Sequence, residues 1–227
     1  RQALVESLGL SDEQVAGLTA EDWALIKSWL EYNQENTKHF GQSAFLVLKK
    51  LVDGYYKDHP EAAQADESAM DRYTRLAVNT ILIDILAGVI SPFTEGDLQL
   101  SLFALEHAAQ AEGLELVAYK LDWDDLVSRT AEYVRTGKEE VVVHMNSNHY
   151  IIVTSIDAEN NVTYYEPNMG KTGETVTVTK EEFMKIWQGY ALSIRAPPEV
   201  SKKISSLEAQ KVKGAGVFLV ISIVLSI

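Results

Sequence analysis

Hydrophobic positions change their period along this chain. Apolar residues first recur mostly at helical spacing. From Val141 onward they alternate with polar residues or run in short β-branched blocks. Ser11-Asp12-Glu13 and Thr19-Ala20-Glu21-Asp22 are helix-start signals, so residues 1–31 read as helical. Tyr32 to Lys38 is polar and loop-like. Gly41 to Tyr56 carries Ala44, Leu48, Leu51, Val52 and Tyr55 on one stripe and reads as a helix. Asp58 to Ser68 is an acidic connector. Met70 to Ile90, rich in Leu76, Ala77, Ile81, Ile83, Ile85 and Leu86, predicts a buried helix ended by Ser91-Pro92.

The spacing predicts a further helix over Gly96–Glu112, with Leu98, Leu102, Leu105 and Ala108 inward and Gly113 as its stop. Leu114–Leu121 reads as a strand and Asp122–Tyr133 as a short helix. A meander follows: Val141–Met145, His149–Ile156, a turn at Asn160-Asn161, Val162–Tyr165, then Val176 and Val178 alternating with threonines. Lys180–Ile186 interrupts it as a helix, Tyr190–Ile194 closes it, and Pro197-Pro198 reads as the end of the globule. Helices first and a mostly antiparallel sheet second is the order of an α+β domain.

Composition narrows the function classes. A net charge of −13 disfavours nucleic acid and anionic membrane surfaces as partners. The chain has no cysteine, hence no disulfide, no thiolate metal site and no thiol nucleophile. No glycine-rich loop follows a strand in the manner of a phosphate site. The apolar stretch Val217–Ile227 is shorter than the roughly 20 residues a spanning helix needs. With Arg1 reading as an internal start, the expectation is a piece of a larger polypeptide.

If the strands flanking Asn160-Asn161 pair as a hairpin, His149 and Glu166 come out nearly opposite each other. A histidine beside a carboxylate is the base and orienter of a nucleophilic triad. It is equally a satisfied polar pair at a sheet rim, and on two residues alone that is the simpler reading. His144 and His149 are expected on opposite strand faces, so no shared metal is expected. No cofactor is implied.

The segments NHYIIV, YYEPN and EEFMKIWQGYAL, with LFALEHAAQAEGLELVAYKL before them, resemble the papain-like cysteine peptidases that remove double-glycine leaders from bacteriocins and other exported peptides. The likeness extends over residues 30–195 and implies a papain-like α+β fold. It places His149 at the family's histidine and Glu166-Pro167 at its Asp-Pro pair. Gln34 falls at the oxyanion-hole glutamine, six residues before Phe40. Gly41 and Ala44 match the residues that follow the family's cysteine, so Phe40 stands in the nucleophile's place. A phenyl ring cannot attack a carbonyl. The resemblance therefore implies a pseudopeptidase that binds a peptide rather than cutting it.

A second motif follows the domain. Residues 204–215 read ISSLEAQKVKGA. Ile204-Ser205, Glu208-Ala209, Val212 and Gly214-Ala215 fall at the positions that define double-glycine leaders, with Ala209 where a bulky apolar residue is usual. Ile204, Ala209 and Val212 would anchor a short amphipathic helix in a groove, and Gly214 and Ala215 would pass a narrow cleft. An ordinary linker helix broken by Gly-Ala-Gly reads the same way.

The expected organisation is a helical extension (1–31), a leader-peptidase-like domain (32–197), a linker with the leader-like segment (198–216) and an apolar tail (217–227). The expected role is a catalytically inactive domain, not an enzyme, holding a peptide in cis or in trans. It would sit within a larger export-associated or envelope protein. The implied partners are that peptide and an export transporter or active leader peptidase, with a membrane contact open through the tail. Cleavage of the Ala215–Gly216 bond by such a peptidase is a separate expectation. Two rival readings stand beside this: an active hydrolase using Ser43 with His149, Glu166 and Gln34, and a purely structural domain of a large assembly.

Overall fold

A computed structural model of the chain describes residues 12, 16–24, 43–62, 67–89, 97–137, 140–169, 173–194 and 202–218. Gln34, Phe40, Gly41 and the tail beyond Phe218 lie outside the described residues.

The first apolar stripe forms helix α1 (Ser43–Asp58), burying Ala44, Phe45, Val47, Leu48, Leu51 and Val52. Helix α2 (Ala69–Leu86) contributes Leu76, Ala77, Val78, Ile81 and Leu82 to the same core, while Leu86 at its end is exposed. The predicted helix over 96–112 divides in two. Asp97–Ser101 is strand β1, and only Leu102–Ala111 is helical, as α3. Ser101 makes the break: its backbone is extended, and its hydroxyl caps α3 by accepting from the Ala104 N–H at 3.0 Å. Asp-Leu-Gln-Leu-Ser suits either period, and a remote partner strand decides it.

The rest follows the expected order: β2 (Leu116–Lys120), α4 (Trp123–Thr136), β3 (Val141–Met145), β4 (His149–Ile156), β5 (Val162–Glu166), β6 (Glu174–Val178), α5 (Lys180–Ile186) and β7 (Trp187–Ile194). Reciprocal capping boxes, Asp122 with Asp125 and Thr179 with Glu182, start α4 and α5. The six strands form one antiparallel sheet in the order β2-β7-β3-β4-β5-β6.

Strand alternation sends Val142, Tyr150, Ile152 and Leu192 to one face, against α1, α2 and α3. Val143, Ile151, Val153 and Tyr164 go to the other, against Leu126 of α4 and Phe183 of α5. The hairpin turn holds Asn160 at φ 64°, and Asp157 accepts from the Glu159 and Asn161 N–H groups.

The chain does not leave the globule at Pro197-Pro198. Lys203 bridges to Tyr119 on the outer edge of β2. Helix α6 (Ser206–Lys211) then packs on α3, and β8 (Lys213–Phe218) pairs antiparallel with β1 as a separate two-stranded ribbon. The segment expected as a linker thus supplies Ile204, Ala209 and Val212 to the helix-side core.

Asp84 ties this end together. It is fully buried, accepting from the Ser101 N–H at 2.7 Å and the Ser101 hydroxyl at 2.5 Å, with Lys213 nearby. Burial raises its carboxyl above the usual range, against the opposing hydrogen bonds from Ser101. A carboxyl raised in the folded state stabilises fully below its unfolded value, and that contribution is lost as pH climbs through the folded one. Asp84→Asn is therefore expected to be less stable than wild type near pH 3 and to close that gap as pH rises above about 4. Paired urea titrations at pH 3 and pH 7 check this, and a gap that widens with pH refutes it.

Candidate functional site

Strand β4 opens at His149, directly after the β3–β4 turn in which Asn148 takes φ 54°. A register shift beside Thr154 and the β4–β5 pairing bring Glu166, the last residue of β5, to the same corner. His149 Nε2 lies 2.7 and 2.8 Å from the two Glu166 carboxylate oxygens, and both side chains are largely buried. Pro167 follows, and the Asn168 N–H donates to Glu166 at 3.1 Å. Burial pushes the Glu166 carboxyl upward. The His149 and Asn168 hydrogen bonds outweigh that and hold it below its ordinary value. The longer glutamate side chain thus reaches the imidazole. With Nε2 committed to the carboxylate, Nδ1 is the ring nitrogen left to face a reacting group. This is a base-and-orienter pair in geometry.

Helix α1 begins beside this corner. The Ser43 hydroxyl accepts from the Tyr150 N–H at 3.2 Å and is fully buried. It pins the helix start to the strand that carries His149, and burial keeps it from solvent. Among the described residues no group of three or more histidines, cysteines or acids is placed to hold a metal ion.

The leader-like segment lies across the neighbouring surface, held largely through its backbone. The Lys120 N–H donates to the Lys202 carbonyl at 3.0 Å and the Ile204 N–H to the Ala118 carbonyl at 3.2 Å. Ser205 caps α6, its hydroxyl accepting from the Glu208 N–H, and the Tyr190 hydroxyl donates to Glu208 at 3.0 Å. Ile204, Ala209 and Val212 are 7%, 1% and 6% exposed, so all three expected anchors point inward. Leu207, between them, is 70% exposed.

Beyond α6 the backbone crosses Tyr150, which sequence reasoning passed over, and His144, which it weighed only as a metal ligand. Tyr150, fully buried, directs its hydroxyl at the Leu100 carbonyl (3.0 Å) and the Val212 carbonyl (3.2 Å). His144 Nε2 donates to the Lys213 carbonyl at 2.7 Å, its ring edge-on to Tyr150. Burial holds His144 below its ordinary pKa, against the pull of that hydrogen bond. Gly214 then lies against the Tyr150 ring so closely that a β-carbon there would overlap it. Ala215 pairs with Gln99 and Val217 with Leu98, which leaves Gly216 as the extra residue of a bulge. The Ala215–Gly216 bond is thus enclosed in the β1–β8 ribbon, which packs on α1 and β4. A cleft of about 290 Å³ remains beside the segment, bounded by His144, Asn146, Asn148, Tyr190, Glu208 and Lys213.

Tyr150 had a signal in the sequence, since it follows the candidate histidine on the helix-facing side of a strand. His144 had none beyond its parity with Val142.

Residues 94–199 match the Peptidase C39 family. Over 95 residues the chain is 30% identical to a putative ABC transporter ATP-binding protein, MG390, of Mycoplasma genitalium. That match covers 42% of this chain and 12% of the relative, so the chain spans only a small part of that protein's length. A crystal structure of a double glycine motif protease from an AMS/PCAT transporter, in complex with the leader peptide, is 16% identical. The likeness covers 52% of this chain and 81% of that one, with a TM-score of 0.30. The family match contains both His149 and Glu166. With helices packed on an antiparallel sheet, the fold is α+β.

Proposed function

We propose that this domain is a catalytically inactive relative of the double-glycine leader peptidases that binds a peptide, and that the peptide it holds is its own residues 202–218. The observation that carries this reading is the placement of the leader-like segment. Each of its three apolar positions is buried, and its glycine abuts the residue following His149. The base-and-orienter pair persists in a chain without any cysteine. A nucleophile missing from such a site forfeits several orders of magnitude in rate. The serine-hydrolase reading fits less well, because the Ser43 hydroxyl is fully buried and accepts from the Tyr150 N–H. The matched transporter relative points to an export-associated parent protein.

Two measurements test this. The purified chain is expected to leave a synthetic double-glycine leader peptide intact over many hours, read by mass spectrometry; any cleavage that His149→Ala abolishes refutes the reading. Phe40→Cys is expected to alkylate faster with iodoacetamide than an unperturbed cysteine, and Glu166→Gln in that background should slow it. A thiol reacting at the ordinary rate would remove Phe40 from the nucleophile's place.

A further inference from the structure

We infer that the groove under residues 202–218 is an exchangeable peptide site, closed in the intact chain by that segment and open to a peptide of the same strand–helix–strand shape in trans once the segment departs. This rests on the reading of the domain as a peptide binder and adds how access to the site is controlled.

The contacts are those of strand addition. At its start the segment lines the outer edge of β2, through Lys202, Lys203 and Ile204. At its end it lines β1 from Ser101 to Asp97. Between these, the Leu102 N–H donates to the Val212 carbonyl at 2.7 Å. Hydrogen bonds of this kind read main chain and accept any extended peptide, while selectivity comes from pockets for particular side chains. Here the selective positions are Ile204, Ala209 and Val212, and the absence of a side chain at 214 under the Tyr150 ring. Glu208 adds a polar mark through Tyr190. The occupant this site recognises is therefore a peptide with apolar residues at those three spacings and glycine two positions after the last.

Occupancy in cis follows from the tether. Residues 195–201 join β7 to the segment, and a short tether gives an effective concentration on the order of millimolar. A trans peptide that binds the empty site with a dissociation constant of about 10 µM is then held off about 100-fold. Cutting the tether removes that advantage.

The test uses the full chain with a protease recognition sequence inserted between Pro198 and Glu199. A fluorescent synthetic peptide of residues 202–218 is titrated before and after cutting, followed by anisotropy, with circular dichroism recording the fold. The nicked chain is expected to take up the peptide about 100-fold better than the intact chain. The same peptide carrying Gly214→Val is expected to bind about tenfold or more weaker, because the added side chain meets Tyr150. Equal uptake by intact and nicked chains overturns the inference. So does a folded nicked chain that takes up neither peptide, or one that binds both alike. A nicked chain that unfolds as its segment is diluted away also overturns it, since the segment is then a permanent strand of the fold. None of these outcomes bears on catalytic inactivity, which leader turnover decides separately.

Discussion

Tyr150→Ala is expected to cost about 3–5 kcal/mol of folding stability, the range for emptying a buried aromatic site. Tyr150 is fully enclosed and touches three parts of the chain at once. Its N–H holds the start of α1 through Ser43, its ring covers Gly214, and its hydroxyl reaches the Leu100 and Val212 carbonyls. Burial raises its hydroxyl pKa well above the ordinary value. The effect divides by parts. Tyr150→Phe keeps the ring over Gly214 and loses only the hydroxyl, which should cost about 1 kcal/mol. Urea unfolding of both variants separates ring from hydroxyl. An alanine variant within 1 kcal/mol of wild type would mean that the segment does not depend on this ring. Hydrogen exchange should locate the damage in residues 202–218 and β1 before the rest of the sheet.

Arg75→Leu is expected to cost about as much, for a different reason. Arg75 Nε donates to Glu67 at 2.7 Å, and its guanidinium also pairs with Glu112, which accepts from the Tyr56 hydroxyl. The Glu67 and Glu112 side chains are only 7% and 4% exposed. Burial alone would lower the Arg75 pKa, but these two carboxylates outweigh it and raise it, so the cation is fixed. Removing it leaves the buried Glu112 carboxylate with the Tyr56 hydroxyl and no cation, and leaves Glu67 to Arg72 at 3.4 Å. Breaking a buried pair from one side typically costs about 3–5 kcal/mol. Arg135→Ala is the control: its pair with Glu132 is on the surface, 70% and 42% exposed, where such pairs contribute little. Matching thermal midpoints for the two variants would show that the network adds nothing beyond a surface pair.

Local patterns made most of this fold legible. The stripe on α1, the meander through β3, β4 and β5, and the helix Lys180–Ile186 rest on neighbours within a few residues, and each forms as its spacing implies. His149 and Glu166 were readable for the same reason, since one hairpin joins them. Strand β1 was not. Asp97–Ser101 has helix-compatible spacing, and its partner is Lys213–Phe218, more than a hundred residues later. No window of sequence contains that pairing. The role of Ser43 was hidden likewise, because the N–H it accepts from belongs to Tyr150. The anchors Ile204, Ala209 and Val212 were visible as a motif, but their surroundings are assembled from α3, β1 and β2, which no motif reports.

The β1–β8 pairing also sets an order of events at the ribosome. The polypeptide emerges from its first residue onward, at about 5–20 residues per second. All six strands of the main sheet are complete by Ile194, whereas the strand that closes the ribbon ends at Phe218. For about 1–5 s of translation every strand of the main sheet has been made while β8, the partner of β1, has not. On the inference of an exchangeable site, that interval is when a matching peptide meets no competitor in cis.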